Sequence, residues 1–182
     1  GTWSYTVGSA DVTALADGGS YVINAQVSNA IGNSVSDNHT VTVDLTAPSM
    51  GISIDSLQND TGLSANDFIT NDSQVVVNGS LTAQLGNNEK AQISLDGGVT
   101  WIDLTVTGTT WRYTDGRTLT DGTYQYQVRV IDNAGNVGAT DSQDVVIDLT
   151  KPAAATITVD SVSQDTGLSD SDFITSDNQI SL

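Results

Sequence analysis

The chain has no cysteine, a single histidine, one glutamate, two prolines and five basic residues among 182. Without cysteine there is neither a disulfide framework nor a thiolate metal site, so redox says nothing about the compartment. With His39 as the sole imidazole, a zinc centre lacks its usual nitrogen and sulfur ligands. Lys90, Arg112, Arg117, Arg129 and Lys151 stand against 22 acidic residues, and the formal charge is −17. Such a surface repels nucleic acid and anionic membranes, which excludes both as expected partners. No apolar run is long enough to span a bilayer and nothing resembles a signal peptide, so no membrane insertion is expected of this segment.

What is abundant is aspartate. All acidic residues except Glu89 are Asp. A short carboxylate on a loop costs little entropy to hold and keeps a hard cation near the backbone; an acidic surface kept only for solubility would use glutamate equally well. The aspartates also recur in order. Residues 55–72 read DSLQNDTGLSANDFITND and residues 160–177 read DSVSQDTGLSDSDFITSD, with twelve identities in eighteen positions at a spacing of 105 residues. Leu15-Ala16-Asp17-Gly18 matches Leu119-Thr120-Asp121-Gly122, Tyr21 matches Tyr124, and Asn33 matches Asn136. Thr42-Val43-Asp44-Leu45-Thr46-Ala47-Pro48 matches Val146-Ile147-Asp148-Leu149-Thr150-Lys151-Pro152. The repeat predicts a complete unit over 46–149, the back part of a unit over 1–45, and the front part of another over 150–182. Neither end piece reaches the size of a stable isolated core, which predicts a segment of a longer array.

Within 46–149 the hydrophobic period is two. Tyr124, Tyr126, Val128 and Val130 alternate with polar neighbours, and Val75, Val77, Leu81, Ile93, Leu95, Trp111, Tyr113, Val145 and Ile147 extend the same pattern. Asp96-Gly97-Gly98 and Asp121-Gly122 mark tight turns. Seven short strands in about 104 residues, without a convincing helix, predict an all-β two-sheet sandwich. About three strands are expected from 1–44 and two from 150–182. Ser64-Ala65-Asn66-Asp67 is read as the start of one helical turn, with Phe68 and Ile69 returning to the core.

Strands alternating in direction put the loop between the first two strands, 55–72, at the pole where Asp148 leaves. The loop between the last two strands, Asp132-Asn133-Ala134-Gly135-Asn136, falls at the opposite pole beside Asp44. One junction would gather Asp44 and Asp132; the other would gather Asp55, Asp60, Asp67 and Asp148. Converging carboxylates need a cation between them, and Ca2+, with six to eight oxygen ligands, suits irregular loops better than magnesium does. Each Asp could instead accept backbone hydrogen bonds in an ordinary turn. That alternative is strongest for Asp67 and Asp172, and Asp72 and Asp177 read as solvent-side turn residues. Pro48 and Pro152 stiffen the short linkers, so calcium would turn a string of beads into a rod.

Other patterns carry less. Ser94-Leu95-Asp96-Gly97-Gly98-Val99-Thr100-Trp101 fits an Asp-box hairpin, but it occurs once, so it reads as a Gly-rich turn with Trp101 packed beneath. Trp3, Tyr5, Trp111, Tyr113, Tyr124 and Tyr126 read as core residues rather than sugar platforms. His39 has no serine nucleophile motif around it, and the repeated aspartates sit on terminal loops rather than across a cleft, so no enzyme is expected.

Asp-Thr-Gly-Leu-Ser-x-x-Asp-Phe-Ile-Thr at 60–70 and 165–175, Leu-Asp-Gly-Gly-Val-Thr-Trp at 95–101, Val-Ile-Asp-Asn-Ala-Gly-Asn at 130–136 and Asp-Leu-Thr-x-Pro at 44–48 and 148–152 together resemble a known family. The chain is similar to the bacterial immunoglobulin-like repeats of giant non-fimbrial adhesins exported by type I secretion, such as giant Salmonella-type adhesins and biofilm-associated proteins. The resemblance implies tandem seven-stranded immunoglobulin-like sandwiches in an extracellular stalk on the bacterial cell surface. It implies neighbouring repeats of the same chain and calcium ions as partners, and a distal region that attaches to host cells, glycans or surfaces, with a part in virulence or biofilm. The implied ligands are Asp55, Asp60, Asp160, Asp165, Asp44, Asp148 and Asp132. One departure is Asn29, which replaces Asp132 in the earlier unit and offers a neutral oxygen. A glycan- or protein-binding module is the alternative.

Overall fold

A computed structural model describes residues 4–6, 8, 15–176 and 178–179. The chain divides into two compact units, Gly1–Leu149 and Thr150–Leu182. Trp3 and Asp177 lie outside the described residues.

In the first unit, β1 (Ser20–Ser28) and β2 (Ser34–Thr42) form an antiparallel hairpin. Nine further strands follow: β3 (Ile52–Leu57), β4 (Ile69–Thr70), β5 (Val76–Leu81), β6 (Glu89–Ser94), β7 (Ile102–Asp103), β8 (Val106–Thr107), β9 (Thr110–Thr114), β10 (Gly122–Asp132) and β11 (Val137–Ile147). They build a four-stranded sheet, β3-β5-β9-β8, and a five-stranded sheet, β4-β11-β10-β6-β7. The domain is therefore all-β and largely antiparallel, with an arrangement that fits an immunoglobulin-like sandwich. The alternating residues explain it. Val77, Ile93, Tyr126, Val128, Val130, Val145 and Ile147 are at most 1% exposed and meet between the sheets, with Trp111 and Leu119 beside them.

The strand count differs from the expected seven because three of the nine strands have two residues each. The first strand is divided between sheets: β3 pairs with β5, whereas β4 pairs in parallel with β11. Side-chain period alone does not reveal which edge a segment joins. β3 also carries a bulge between Ile54 and Ser56, and β10 one between Arg129 and Ile131.

Several local expectations are corrected. Residues 65–68 form bends and 64–67 no helical turn, because the Ser64 hydroxyl donates to Asn66 Oδ1 at 2.9 Å and competes with backbone pairing. Phe68 does pack against the core, but Ile69 is exposed, since Thr70 takes the inward position of β4. Tyr5 is also exposed, not a core residue. Residues 15–45 supply two strands; the rest of the three expected over 1–44 would fall in 1–14, most of which lies outside the described residues. In the second unit the described residues form no strand, and Ile157 and Val159 are exposed. A strand of the β3 pattern gains its ladder from a β5 partner, and among the described residues of that unit nothing pairs with it.

Candidate functional site

The doubled Asp-rich stretch folds the same way twice. In the first copy Asp60 Oδ2 accepts the Phe68 N–H at 3.0 Å, and Phe68 stands at φ 62°. In the second copy Asp165 Oδ2 accepts the Phe173 N–H at 3.0 Å, with Phe173 at φ 61°. A bulky residue with positive φ is strained, so the carboxylate holds an otherwise unfavourable turn. Thr70 Oγ1 donates to the Asn59 carbonyl at 2.8 Å and Thr175 Oγ1 to the Gln164 carbonyl at 2.7 Å. Thr61 Oγ1 accepts the Asn71 N–H, as Thr166 Oγ1 accepts that of Ser176. Gly62 and Gly167, at φ 117° and 141°, let the chain reverse where a Cβ would be strained.

The other carboxylate oxygen behaves differently. Asp60 Oδ1 and Asp165 Oδ1 are both buried and neither meets a hydrogen-bond donor. An ionised oxygen held from water without a partner is costly, which makes its recurrence in both copies the most informative feature of the turn. Asp60, Asn59, Thr61, Asn71 and Asp72 line, with Leu57, Gln58 and Ala65, a shallow depression of about 580 Å³ in which Asp60, Thr61 and Asp72 offer oxygen. Hard oxygen ligands suit a hard cation.

The other expected ligands are placed as follows. Asp67 Oδ1 accepts the Ile69 N–H at 3.1 Å and Asp172 Oδ1 that of Ile174 at 3.0 Å; both therefore cap the turn locally. Asp72 accepts from Asn59 and from the Gln74 N–H, a local role of the same kind. Asp55 lies in the β3 bulge, exposed, accepting from Ser53 Oγ at 2.7 Å, and so belongs to the strand rather than the loop. Asp148 is exposed at the end of β11, where its N–H donates to the Thr70 carbonyl at 3.0 Å. The backbone ladder thus brings the exit aspartate beside the turn that holds Asp60. Asp160 is exposed in the second unit.

At the opposite pole, Asp132 Oδ1 accepts the N–H groups of Ala134 and Asn136, each at 2.9 Å. The Asn136 side-chain amide, then the turn N–H groups, hold the Asp132 carboxyl below its ordinary range. Asn136 Nδ2 donates to Asp132 Oδ2 at 2.9 Å and to the Asp44 carbonyl at 3.0 Å, joining the β10–β11 turn to the linker. Asp44 itself accepts the Thr46 N–H. Asn29 reproduces the turn of Asp132 with neutral atoms: its Oδ1 accepts from Ile31 and Asn33. Among the described residues no three carboxylate or imidazole side chains stand together as a metal-holding group.

One polar constellation escaped the sequence reading, and a second lies inside the Asp-box hairpin at 94–101. Asp115, its side chain fully buried, is bonded by Arg117 at 2.7 Å and by the Tyr126 hydroxyl at 2.7 Å. Burial raises its pKa, but the Arg117 and Tyr126 bonds outweigh that and keep it low, while Tyr126 is pushed up. Asp115 was not among the residues singled out in the sequence. Asp96 accepts from Thr100 Oγ1, the Thr100 N–H, Ser94 Oγ and the Val99 N–H, which brings its pKa down to about 2. Trp101 packs on Gly98 as expected, and Arg129 lies 4.0 Å over its ring, covering one face of the indole.

No helix of the described residues is long and apolar enough to cross a membrane. No curated protein matches the chain. A sequence model of the bacterial Ig-like domain family matches residues 46–149, more than half of the chain. With a sandwich of that kind over the matched residues, the chain belongs to the bacterial Ig-like domain family, whose domains are non-catalytic structural modules.

Proposed function

We propose that this chain is a calcium-stiffened stalk segment of a giant bacterial surface adhesin, built of tandem seven-stranded immunoglobulin-like repeats. Residues 1–45 are the closing part of one repeat, 46–149 a complete one and 150–182 the opening part of the next. The stalk lies outside the cell, exported by type I secretion, and carries a distal region that attaches to host cells or surfaces. Family membership supports the general adhesin setting.

The calcium reading rests on the buried, donorless Oδ1 of Asp60 and of Asp165. A divalent cation at these oxygens compensates the charge that no N–H reaches. Asp60 with Asp67 and Asp148 would hold it at the exit end of the complete repeat, and Asp55 would add a carboxylate only if the bulge turns it toward the loop. Asp165 and Asp160 serve the next copy, and Asp44 with Asp132 the leading end. Bound calcium supplies charge neutralisation and crosslinking of loops to linkers, which limits bending. The residues' own part is to fix the turns before the ion arrives: Asp60 Oδ2, Asp67 and Asp132 already hold backbone N–H groups.

Small-angle scattering with and without chelator tests the reading. Chelation should raise the flexibility of the chain and lower its melting temperature; superimposable curves and melts would refute it. A glycan- or protein-binding role for the complete repeat remains the competing reading, and saturable binding by that repeat to a glycan array would favour it.

A further inference from the structure

Trp101 lies on the outer face of the five-stranded sheet, away from the core. Its Nε1 donates to the Gly98 carbonyl at 3.0 Å, which fixes the indole against the turn that follows β6. Arg129 stacks on one face at 4.0 Å, and its Nε donates to Gln92 Oε1 at 2.9 Å. The ring is therefore held from two sides, although nothing in the core needs it.

Beside it the outer face is open. Gln127 of β10 stands opposite Ser142 of β11, and Arg129 opposite Thr140; cross-strand partners share a face. The Arg129 side chain leans toward Gln92 and Trp101, away from β11, and next to it lies a depression of about 350 Å³. Its walls are Trp101, Gln127, Thr140 and Ser142, over a floor formed by the strands at Val128 and Asp141. The side chains of those two turn the other way, Val128 into the core and Asp141 Oδ2 to the Ile54 N–H at 2.8 Å. Trp101 lines the depression and Arg129 does not, so the indole meets it with the surface that Arg129 leaves free. The Gln127 amide is oriented as well. Its Nε2 donates to Gln125 Oε1 at 2.8 Å, and Gln125 Nε2 donates to Asp144 Oδ1 at 3.3 Å. Gln127 Oε1 is turned toward Gly98, where an added Cβ would lie 3.0 Å from it and 3.6 Å from Trp101 Cζ2.

We propose that this depression binds a short neutral glycan, with a sugar ring stacked on the free surface of Trp101 and its hydroxyls bonded to Gln127 Oε1 and to the Thr140 and Ser142 hydroxyls. The proposal rests on the glycan-binding reading of the complete repeat and gives it a place; it does not depend on calcium. The chemistry selects the class of ligand. β10 is paired on both sides, with β6 and β11, so its backbone has nothing to offer an extended peptide. An apolar partner would meet a lone indole among amides and hydroxyls. A sugar presents an apolar C–H face for the ring and a rim of hydroxyls for the amide and the alcohols. Carboxylated sugars are disfavoured by the charge of −17, and the nearest cation, Arg129, is turned to the other side of the indole. Because the indole and the amide are already fixed, little ordering entropy opposes binding.

The test titrates the full chain, in chelator, with short oligomers of glucose, galactose and N-acetylglucosamine and with sialylated counterparts, following the Trp101 indole N–H and the Gln127 side-chain amide by NMR. At least one neutral oligomer should shift both signals saturably. Trp101→Ala should weaken that binding about tenfold, and Trp101→Phe should keep most of it. Ser142→Ala, an exposed rim change that leaves the core alone, should weaken it about fivefold and decides the matter if Trp101→Ala fails to fold. Binding that is equal in Trp101→Ala and Ser142→Ala would overturn this site while leaving a glycan-binding repeat. Binding by sialylated members alone would overturn the neutral class. No binding to any oligomer would overturn both the site and the glycan-binding reading, and because the chelator is present throughout, none of these outcomes bears on stiffening by calcium.

Discussion

Asp60 and Phe68 are joined by a 3.0 Å hydrogen bond from the Phe68 N–H to Oδ2, and this bond leaves Oδ1 of the same carboxylate buried without a donor. Asp165 and Phe173 repeat the relationship. One oxygen shapes the turn and the other is left for something cationic.

This division of labour separates two substitutions. Asp60→Asn retains an acceptor for Phe68 but removes the charge. It should leave the sandwich folded while abolishing most of the rise in melting temperature on adding millimolar calcium, a rise that corresponds to about 2.7 kcal/mol at a hundredfold excess over Kd. Asp60→Ala removes the acceptor too and should melt lower even in chelator. Calorimetry with and without calcium distinguishes them, and equal calcium responses in wild type and Asp60→Asn would contradict the assignment.

Asn136 is the side chain that ties the β10–β11 turn to the linker carbonyl of Asp44. Asn136→Ala should cost about 0.5–1.5 kcal/mol, felt locally. Faster amide exchange at Leu45 and Thr46, with exchange in the β10 core strand unchanged, is the expected result.

Tyr126 is fully buried and its hydroxyl donates to Asp115. Tyr126→Phe leaves the ring in place but deprives a buried carboxylate of one donor, for a predicted loss of about 1–3 kcal/mol in denaturant unfolding. A neutral effect would mean that Arg117 alone satisfies Asp115.

Gly79 sits in β5 where an added Cβ would lie 2.1 Å from the Ser53 carbonyl oxygen and 2.1 Å from Trp111 Cζ2. Neither backbone nor a buried indole yields easily, so Gly79→Ala should destabilise the domain by about 3 kcal/mol. Chemical denaturation of the variant measures this directly.

The acid limb of stability follows from Asp96, whose folded pKa of about 2 lies below the roughly 3.9 of an unfolded aspartate. A depressed carboxylate stabilises the fold above the unfolded value, and that contribution disappears as the pH falls from about 4 to 2. Asp115 and Asp132 act in the same direction. Unfolding free energy should therefore fall across this window, and Asp96→Asn should flatten part of the slope; an unchanged slope would locate the acid sensitivity elsewhere.

Much of this was legible beforehand because it is local. Alternation at Tyr126-Gln127-Val128-Arg129-Val130 identifies the inward set without knowledge of the partner strand. The pairing partners are not local. That Ile69–Thr70 joins β11 in parallel, turning Thr70 inward and Ile69 outward, depends on an edge supplied by residues nearly eighty positions away. Asp115 went unnoticed because its partner Tyr126 is reached only through the core. Asp55 looked like a loop ligand because a bulge leaves no trace in a two-residue period.

By itself the sequence determined the repeat, the strand-rich pattern, the core positions and the oxygen-only chemistry of the aspartate turns, since these follow from side-chain type and spacing. Only the tertiary structure decided which oxygen of Asp60 is spent on Phe68 and which is left donorless, that Asp148 lies beside Thr70, and that Trp101 meets Arg129 on one face and the depression over β10–β11 with the rest of its ring. The physical reason is that hydrogen-bond satisfaction and burial are properties of neighbours brought together by folding, and no single stretch of chain carries them alone.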